Sequence, residues 1–217
     1  MIEKIIEFIA PDECIVCQKE GTCLCTDCAQ TALEYKKPAC LFCNELNPDG
    51  RVCRRCRSKN DIYKSSIAYR YGGASKELIN LMKYQGRRSV ARYLASKLPA
   101  IETNAKTIIT YVPSDGASRR KRGFDQAELI AKHYAKSMGD RHSTLLARRE
   151  HERQVGKSRK SRIENVKDNF VALSDIQNAQ VILIDDVVTT GATVSECAKV
   201  LKRAGAKRVE VLAVAKK

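Results

Sequence analysis

The 217-residue chain is 43% hydrophobic and 30% charged, with 40 Lys and Arg against 25 Asp and Glu and a formal net charge of +15 at pH 7. That is enough apolar content for one ordinary domain with a small appendage. No apolar run approaches the eighteen residues of a membrane span, and the opening MIEKIIEFIAPDE breaks its short apolar stretch with acids, unlike a secretory signal, so the expected location is cytoplasmic, without membrane insertion.

The first feature in chain order is a crowd of cysteines. Nine of the ten lie between Cys14 and Cys56, and a cytosolic chain keeps thiols reduced, so metal binding is favoured over disulfides. Cys14 and Cys17, Cys25 and Cys28, Cys40 and Cys43, and Cys53 and Cys56 form four pairs, each with two residues between the sulfurs. Two such pairs complete a tetrahedral four-sulfur zinc site, which is closed to water and therefore structural. Sequential pairing gives two ribbons and is the expected arrangement; a crossed one joining Cys14 and Cys17 to Cys40 and Cys43 is the alternative. Cys23 is left over and competes with Cys25 for a ligand position. The composition changes near residue 60, which divides the chain into a double zinc ribbon (1–60) and a larger domain (61–217). Residues 1–60 hold nine cations and nine acids, leaving 31 against 16 in the rest, so the whole positive excess lies in the larger part and suits a phosphorylated metabolite or nucleic acid.

Beyond residue 60, helix and strand signals alternate. Residues 75–84 and 89–98 have helical apolar spacing, with Ser75 and Ser89 as expected N-caps. Residues 107–112 form a β-branched run ending at Pro113. Residues 124–139 read as an amphipathic helix closed by Gly139, and 143–148 as a further strand. A buried strand over 180–185, a helix over 192–205 and a final strand over 208–215 complete the pattern. Strands separated by helices predict an α/β fold with a parallel sheet flanked by helices. Cys197 lies within an amphipathic helix and is expected in the core.

Residues 181–193, VILIDDVVTTGAT, concentrate the chemistry. Asp185 and Asp186 stand at the carboxyl end of a buried strand, where open α/β sheets bind ligands. The backbone N–H groups of the following loop and the hydroxyls of Thr189, Thr190 and Thr193 are suited to a phosphate, and Gly191 allows close backbone approach. The acids are suited to two ribose hydroxyls.

This stretch closely resembles the phosphoribosyl pyrophosphate (PRPP) motif of type I phosphoribosyltransferases. With RRKRGFDQAELIAK (119–132), QVGKSRKSRIENV (154–166), LMKYQGRR (81–88) and the cysteine ribbons, the chain resembles the ComF family over nearly its whole length. The resemblance implies a type I phosphoribosyltransferase-like sheet with an N-terminal zinc-ribbon domain. It implies that Asp185 and Asp186 hold the ribose and help position Mg2+, and that Thr189, Thr190, Gly191, Ala192 and Thr193 hold the 5-phosphate. Ser114 and Asp115 fall where the family has its pyrophosphate loop, although the usual His-Pro is missing and the family's Gly-Phe-Asn-Gln is Gly123-Phe124-Asp125-Gln126 here. Residues 153–162 resemble the family's flexible loop, with Lys157 and Arg159 as its first catalytic candidates.

The basic run Arg119, Arg120, Lys121 and Arg122, with Lys83 and Arg87, supplies candidate nucleic-acid contacts; a solvated face is the alternative reading. The family's association with natural transformation implies handling of incoming single-stranded DNA and a competence-machinery partner such as a DNA helicase. The expected activity is phosphoribosyl transfer to an unidentified acceptor. The alternatives are a non-catalytic PRPP-sensing nucleic-acid adaptor and a salvage enzyme acting on a free nucleobase.

Overall fold

The computed structural model describes residues 11–149 and 169–217. Two short helices, α1 (Thr26–Ala32) and α2 (Arg54–Arg57), follow Cys25 and Cys53 in the two ribbons. Then come β1 (Lys64–Arg70), α3 (Gly73–Tyr84), α4 (Ser89–Lys97), β2 (Thr107–Tyr111), α5 (Gly116–Arg122), α6 (Gln126–Met138) and β3 (Arg141–His142). A small antiparallel pair, β4 (Leu146–Arg148) and β5 (Phe170–Ala172), precedes β6 (Gln180–Val188), α7 (Ala192–Arg203) and β7 (Arg208–Lys216).

The main sheet has the order β1-β7-β6-β2-β3, and every neighbouring pair is parallel. A parallel sheet covered on both faces needs strands that are apolar throughout, which is why the 181–184 run is continuous. Ile182 and Ile184 pack on one face with Ile109 and Leu212, beside apolar residues of α3, α4 and α6. Val181 and Leu183 pack on the other with Val209 and Val211, under Val194, Ala198 and Leu201 of α7. The ribbons divide between these two layers: Leu24, Ala29 and Leu33 of the first join the α3/α4/α6 core, and Leu41 and Val52 of the second join the α7 core.

Local chemistry explains most element ends. Asp125 caps α6 by accepting the Ala127 amide at 3.1 Å, and Gly139 ends that helix in the left-handed region at φ +70°, as the glycine at 139 predicts. The expected serine caps are displaced. Gly72 is the N-cap of α3, and Ser75, three residues in, accepts the Gly72 amide at 3.2 Å while donating to the Arg70 carbonyl at 2.7 Å. Ser89 is the first helical residue of α4 and donates to Asp12 Oδ1 at 3.0 Å, so its hydroxyl joins the helix to the first ribbon. Of the strand expected over 143–148, only the last three residues pair, and they lie outside the main sheet.

Candidate functional site

Chain direction opens a crevice between β6 and β2. From β2 the chain passes through α6 to β3 on one side, and from β6 through α7 to β7 on the other, with α6 and α7 on opposite faces. This is the switch point at which α/β sheets accept ligands beyond their carboxyl ends. The strands reach it together, with Tyr111 paired to Ile184 and the Val112 amide donating to the Ile184 carbonyl at 2.9 Å. The loop carrying Ser114 and Asp115 therefore lies beside the strand end carrying Asp185 and Asp186.

Strand β6 continues through both acids, which are half-buried. Burial, then the adjacent Asp186 charge, pushes the Asp185 carboxyl well above the usual carboxylate range, against the pull of the Asp186 amide and of Lys83. Asp186 is paired: Lys83 Nζ, in the last turn of α3, lies 2.5 Å from its Oδ2, with the two side chains only 24% and 13% exposed. Grouped in the sequence with candidate nucleic-acid contacts, Lys83 is thus the counter-ion of the acid pair.

Beyond the acids, Gly191 at φ +83° is the N-cap of α7. Thr189, Thr190, Ala192 and Thr193 are exposed around it, and the Ala192 amide donates to the Thr190 hydroxyl at 3.3 Å, so this helix start is open to solvent. Gly191 itself is buried, and a Cβ placed there would meet the Phe42 ring at 3.0 Å. The second cysteine ribbon thus forms the floor of this loop.

The loop after β2 is held by its own side chains. Asp125 Oδ2 accepts both the Ser114 amide at 2.7 Å and the Ser114 hydroxyl at 2.6 Å. Asp115 caps α5 by accepting the Ser118 amide at 2.8 Å, and its carboxyl is held below the usual range, chiefly by hydrogen bonding from Ser118. Asp125 is the site residue that sequence reasoning passed over as a departure from the family pattern. Its signal was present: Asp before a helical run is an N-cap signature.

The other basic candidates separate. Arg119, Arg120 and Lys121 are exposed on α5, next to the Ser114/Asp115 loop, whereas Arg122 turns in with a buried Nε that has no hydrogen-bond partner among the described residues. Arg87 lies on the side of the first ribbon, where its charge favours the Cys23 thiolate. Lys157 and Arg159 lie outside the described residues.

Among the described residues two metal-ligand groups form, and they are the sequential ones: Cys14, Cys17, Cys25 and Cys28, and Cys40, Cys43, Cys53 and Cys56, with all sulfurs of a group within 4.8 Å of one another. The crossed arrangement does not occur. Sulfur separations of 3.7 Å (Cys17 to Cys25) and 3.6 Å (Cys43 to Cys53) match the ~3.8 Å edge of a tetrahedron with Zn–S bonds of about 2.3 Å. Each first cysteine starts an equivalent knuckle, ending in a left-handed residue, Gln18 at φ +61° or Asn44 at φ +58°. Burial alone would raise the Cys14 and Cys40 thiols, but backbone hydrogen bonds from their knuckles bring both down to about 6, suited to metal ligation. Both groups fit structural zinc. Cys23 belongs to neither, and burial, reinforced by Asp12, pushes its thiol up to about 12.

Comparison with known proteins agrees with this geometry. Residues 125–217 match the phosphoribosyl transferase domain family. Over 207 residues the chain is 27% identical to competence protein ComFC of Streptococcus pneumoniae, spanning 92% of this chain and 90% of that one. It is 28% identical to competence protein F of Haemophilus influenzae (89% and 90%) and 26% identical to the DNA utilization protein YhgH of Escherichia coli K12 (87% and 88%).

Proposed function

We propose that the chain, which is similar to ComF-type competence proteins over nearly its whole length and carries a phosphoribosyl transferase-like fold, binds PRPP with Mg2+ at the β6 carboxyl end and acts in DNA uptake. The observation that carries this reading is the joining of a half-buried acid pair to an exposed Thr-Thr-Gly-Ala-Thr helix start within one turn of chain. An anion at that helix start meets backbone N–H groups and exposed hydroxyls, while carboxylates at the strand end accept from vicinal hydroxyls and attract a divalent cation. PRPP supplies all three partners in one molecule. Bound Mg2+ would neutralise the pyrophosphate; Asp185 and Asp186 are the chain's own groups for orienting the ribose.

Whether the bound sugar is transferred is a separate matter, and one observation favours a second reading. The Ser114 and Asp115 side chains are both engaged within the protein, leaving the β2 loop chiefly its backbone for a leaving group. That suits PRPP as an effector of a DNA-handling protein as well as a substrate. The relatives' names associate them with competence and DNA utilization, and on this reading the present chain handles single-stranded DNA in the cytoplasm with a partner from the uptake machinery, such as a helicase.

Calorimetric titration with PRPP and Mg2+, beside an Asp185→Asn/Asp186→Asn variant, tests the site. Binding lost in the folded variant is the expected result; equal affinity would refute the ribose assignment. Pyrophosphate release over a nucleobase panel separates transferase from sensor.

A further inference from the structure

The amino end of the sheet, opposite the acid pair, carries a cationic surface that the PRPP reading leaves unused. Residue 51 of the second ribbon bridges to β1 at Lys64, and β1 is followed across the sheet by β7, β6 and β2. This register gathers Arg51, Tyr63 and Arg208. Three guanidinium groups surround the Tyr63 ring, with Arg208, Arg51 and Arg57 at 4.2, 5.5 and 5.9 Å from its centroid. The cation–π contacts hold the three arginines in place but do not neutralise them.

Next to Arg208 lies a polar depression of about 490 Å3 lined by Asn104, Lys106, Asn178, Gln180 and Lys207. Of the five cations Arg51, Arg57, Lys106, Lys207 and Arg208, only two have acid partners among the described residues: Arg51 with Asp49 at 4.0 Å and Arg208 with Glu210 at 3.4 Å. Like charges held this close repel one another unless an anion lies between them. From residue 51 to β2 the row crosses four strand spacings of about 4.8 Å, or roughly 19 Å. One phosphate does not fill that span; successive phosphates of one strand do.

We propose that this Tyr63-centred surface is a docking track for the phosphodiester backbone of single-stranded DNA, with the ammonium groups of Lys106 and Lys207 receiving further phosphate oxygens. The assignment rests on the DNA-handling reading above and gives it a location. The track faces away from the PRPP site, so strand and nucleotide ligand occupy opposite ends of the sheet. It is distinct from the α5 run at 119–122, which borders the PRPP crevice.

The test is fluorescence anisotropy of a labelled oligothymidylate against the zinc-loaded full chain over a salt series. An Arg57→Gln/Lys106→Gln/Lys207→Gln variant changes only exposed side chains. Each lost phosphate contact removes about 0.7 from the slope of log affinity against log salt, so a decrease of about 2 is expected. Lys106→Glu/Lys207→Glu, remote from the zinc ligands, repeats the test if Arg57→Gln lowers zinc content. An unchanged slope in both variants, or a slope lost only in Arg119→Gln/Arg120→Gln/Lys121→Gln, would overturn the track while leaving DNA binding intact. Full displacement of the oligomer by equimolar inorganic phosphate would make the surface a small-anion pocket and overturn the polyanion assignment. No oligomer binding by the wild type would overturn the track and the DNA reading together.

Discussion

Replacing Lys83 by Met isolates the charge that the acid pair depends on before any ligand arrives. The ammonium is 2.5 Å from Asp186 Oδ2, and with exposures of 24% and 13% the pair is shielded from most solvent screening. A hydrogen bond between charged groups contributes about 1.5–3 kcal/mol. In a chain of this size that corresponds to a loss of roughly 3–12 °C in the melting temperature of the ligand-free protein. The same ammonium stands where a divalent cation would approach the carboxylates, so its removal exposes Asp186 to the metal. Saturating Mg2+ and PRPP should therefore restore most of the lost stability, and Mn2+ alone should bind the variant more tightly than the wild type. Differential scanning calorimetry with and without ligand, and a Mn2+ titration, read both effects. An unchanged melting temperature would show the pair to be energetically idle. A variant with weaker Mg2+–PRPP binding would refute the competitive role and make Lys83 a direct ligand contact.

Asp185 sets a pH dependence. Its folded-state value lies above the unfolded one near 4, so its contribution to stability is complete below that range and is lost as pH rises through the raised value. The ligand-free protein should lose stability over that interval, and Asp185→Asn should flatten the profile in urea titrations; an identical slope in the variant would remove Asp185 as its source. Gly191→Ala puts a Cβ 3.0 Å from Phe42 at a left-handed residue, which costs about 1–2 kcal/mol in backbone strain alone, and should lower both melting temperature and PRPP affinity. Full affinity in that variant would dissociate the ribbon from the loop. Cys43→Ser should reduce bound zinc from two ions to one by elemental analysis and weaken PRPP binding; two retained ions would contradict the four-cysteine grouping.

The parts of the fold legible in the sequence were those specified by side-chain period and local chemistry. Strand β6 was visible because burial on both faces demands an unbroken apolar run, and α6 because its amphipathic spacing runs to a closing Gly139. The cysteine spacing carried both metal-ligand groups, though the choice between sequential and crossed pairing needed the fold. Strand β1 escaped because KSSIAYR has no clear alternation: its burial comes from β7 on one edge and ribbon segments on the other, neither of which leaves a periodic signal. Helix α5 escaped because seven residues with four cations and no buried side chain give no apolar stripe. At the site, the acid pair and the threonine loop form one continuous motif and were read directly. Lys83 reaches Asp186 across 103 residues of chain, and no local pattern encodes such a meeting.

The same long-range logic explains why the ribbons are not an appendage. A parallel sheet needs cover on both faces, and among the described residues α3, α4 and α6 lie on one face while α7 with Leu146 and Phe170 of the β4–β5 pair lies on the other. Leu41 and Val52 of the second ribbon complete the thinner layer, and Lys216, almost fully buried at the end of β7, donates to the Leu41 carbonyl at 2.6 Å and to Asn44 Oδ1 at 2.7 Å. Ser195 of α7 donates to Asn60 at 2.6 Å, holding the chain just past the second ribbon to the helix that begins at the threonine loop. The outer edge of β1 would otherwise present unpaired backbone groups. Instead its Ala68 carbonyl accepts the Lys36 amide, its Arg70 amide donates to Glu34, and its Ser65 amide donates to Gly50. Residues before 60 therefore close one face and one edge of the sheet that positions Asp185, and a metal held by Cys40, Cys43, Cys53 and Cys56 would order Leu41 and Phe42 and with them the floor beneath Gly191.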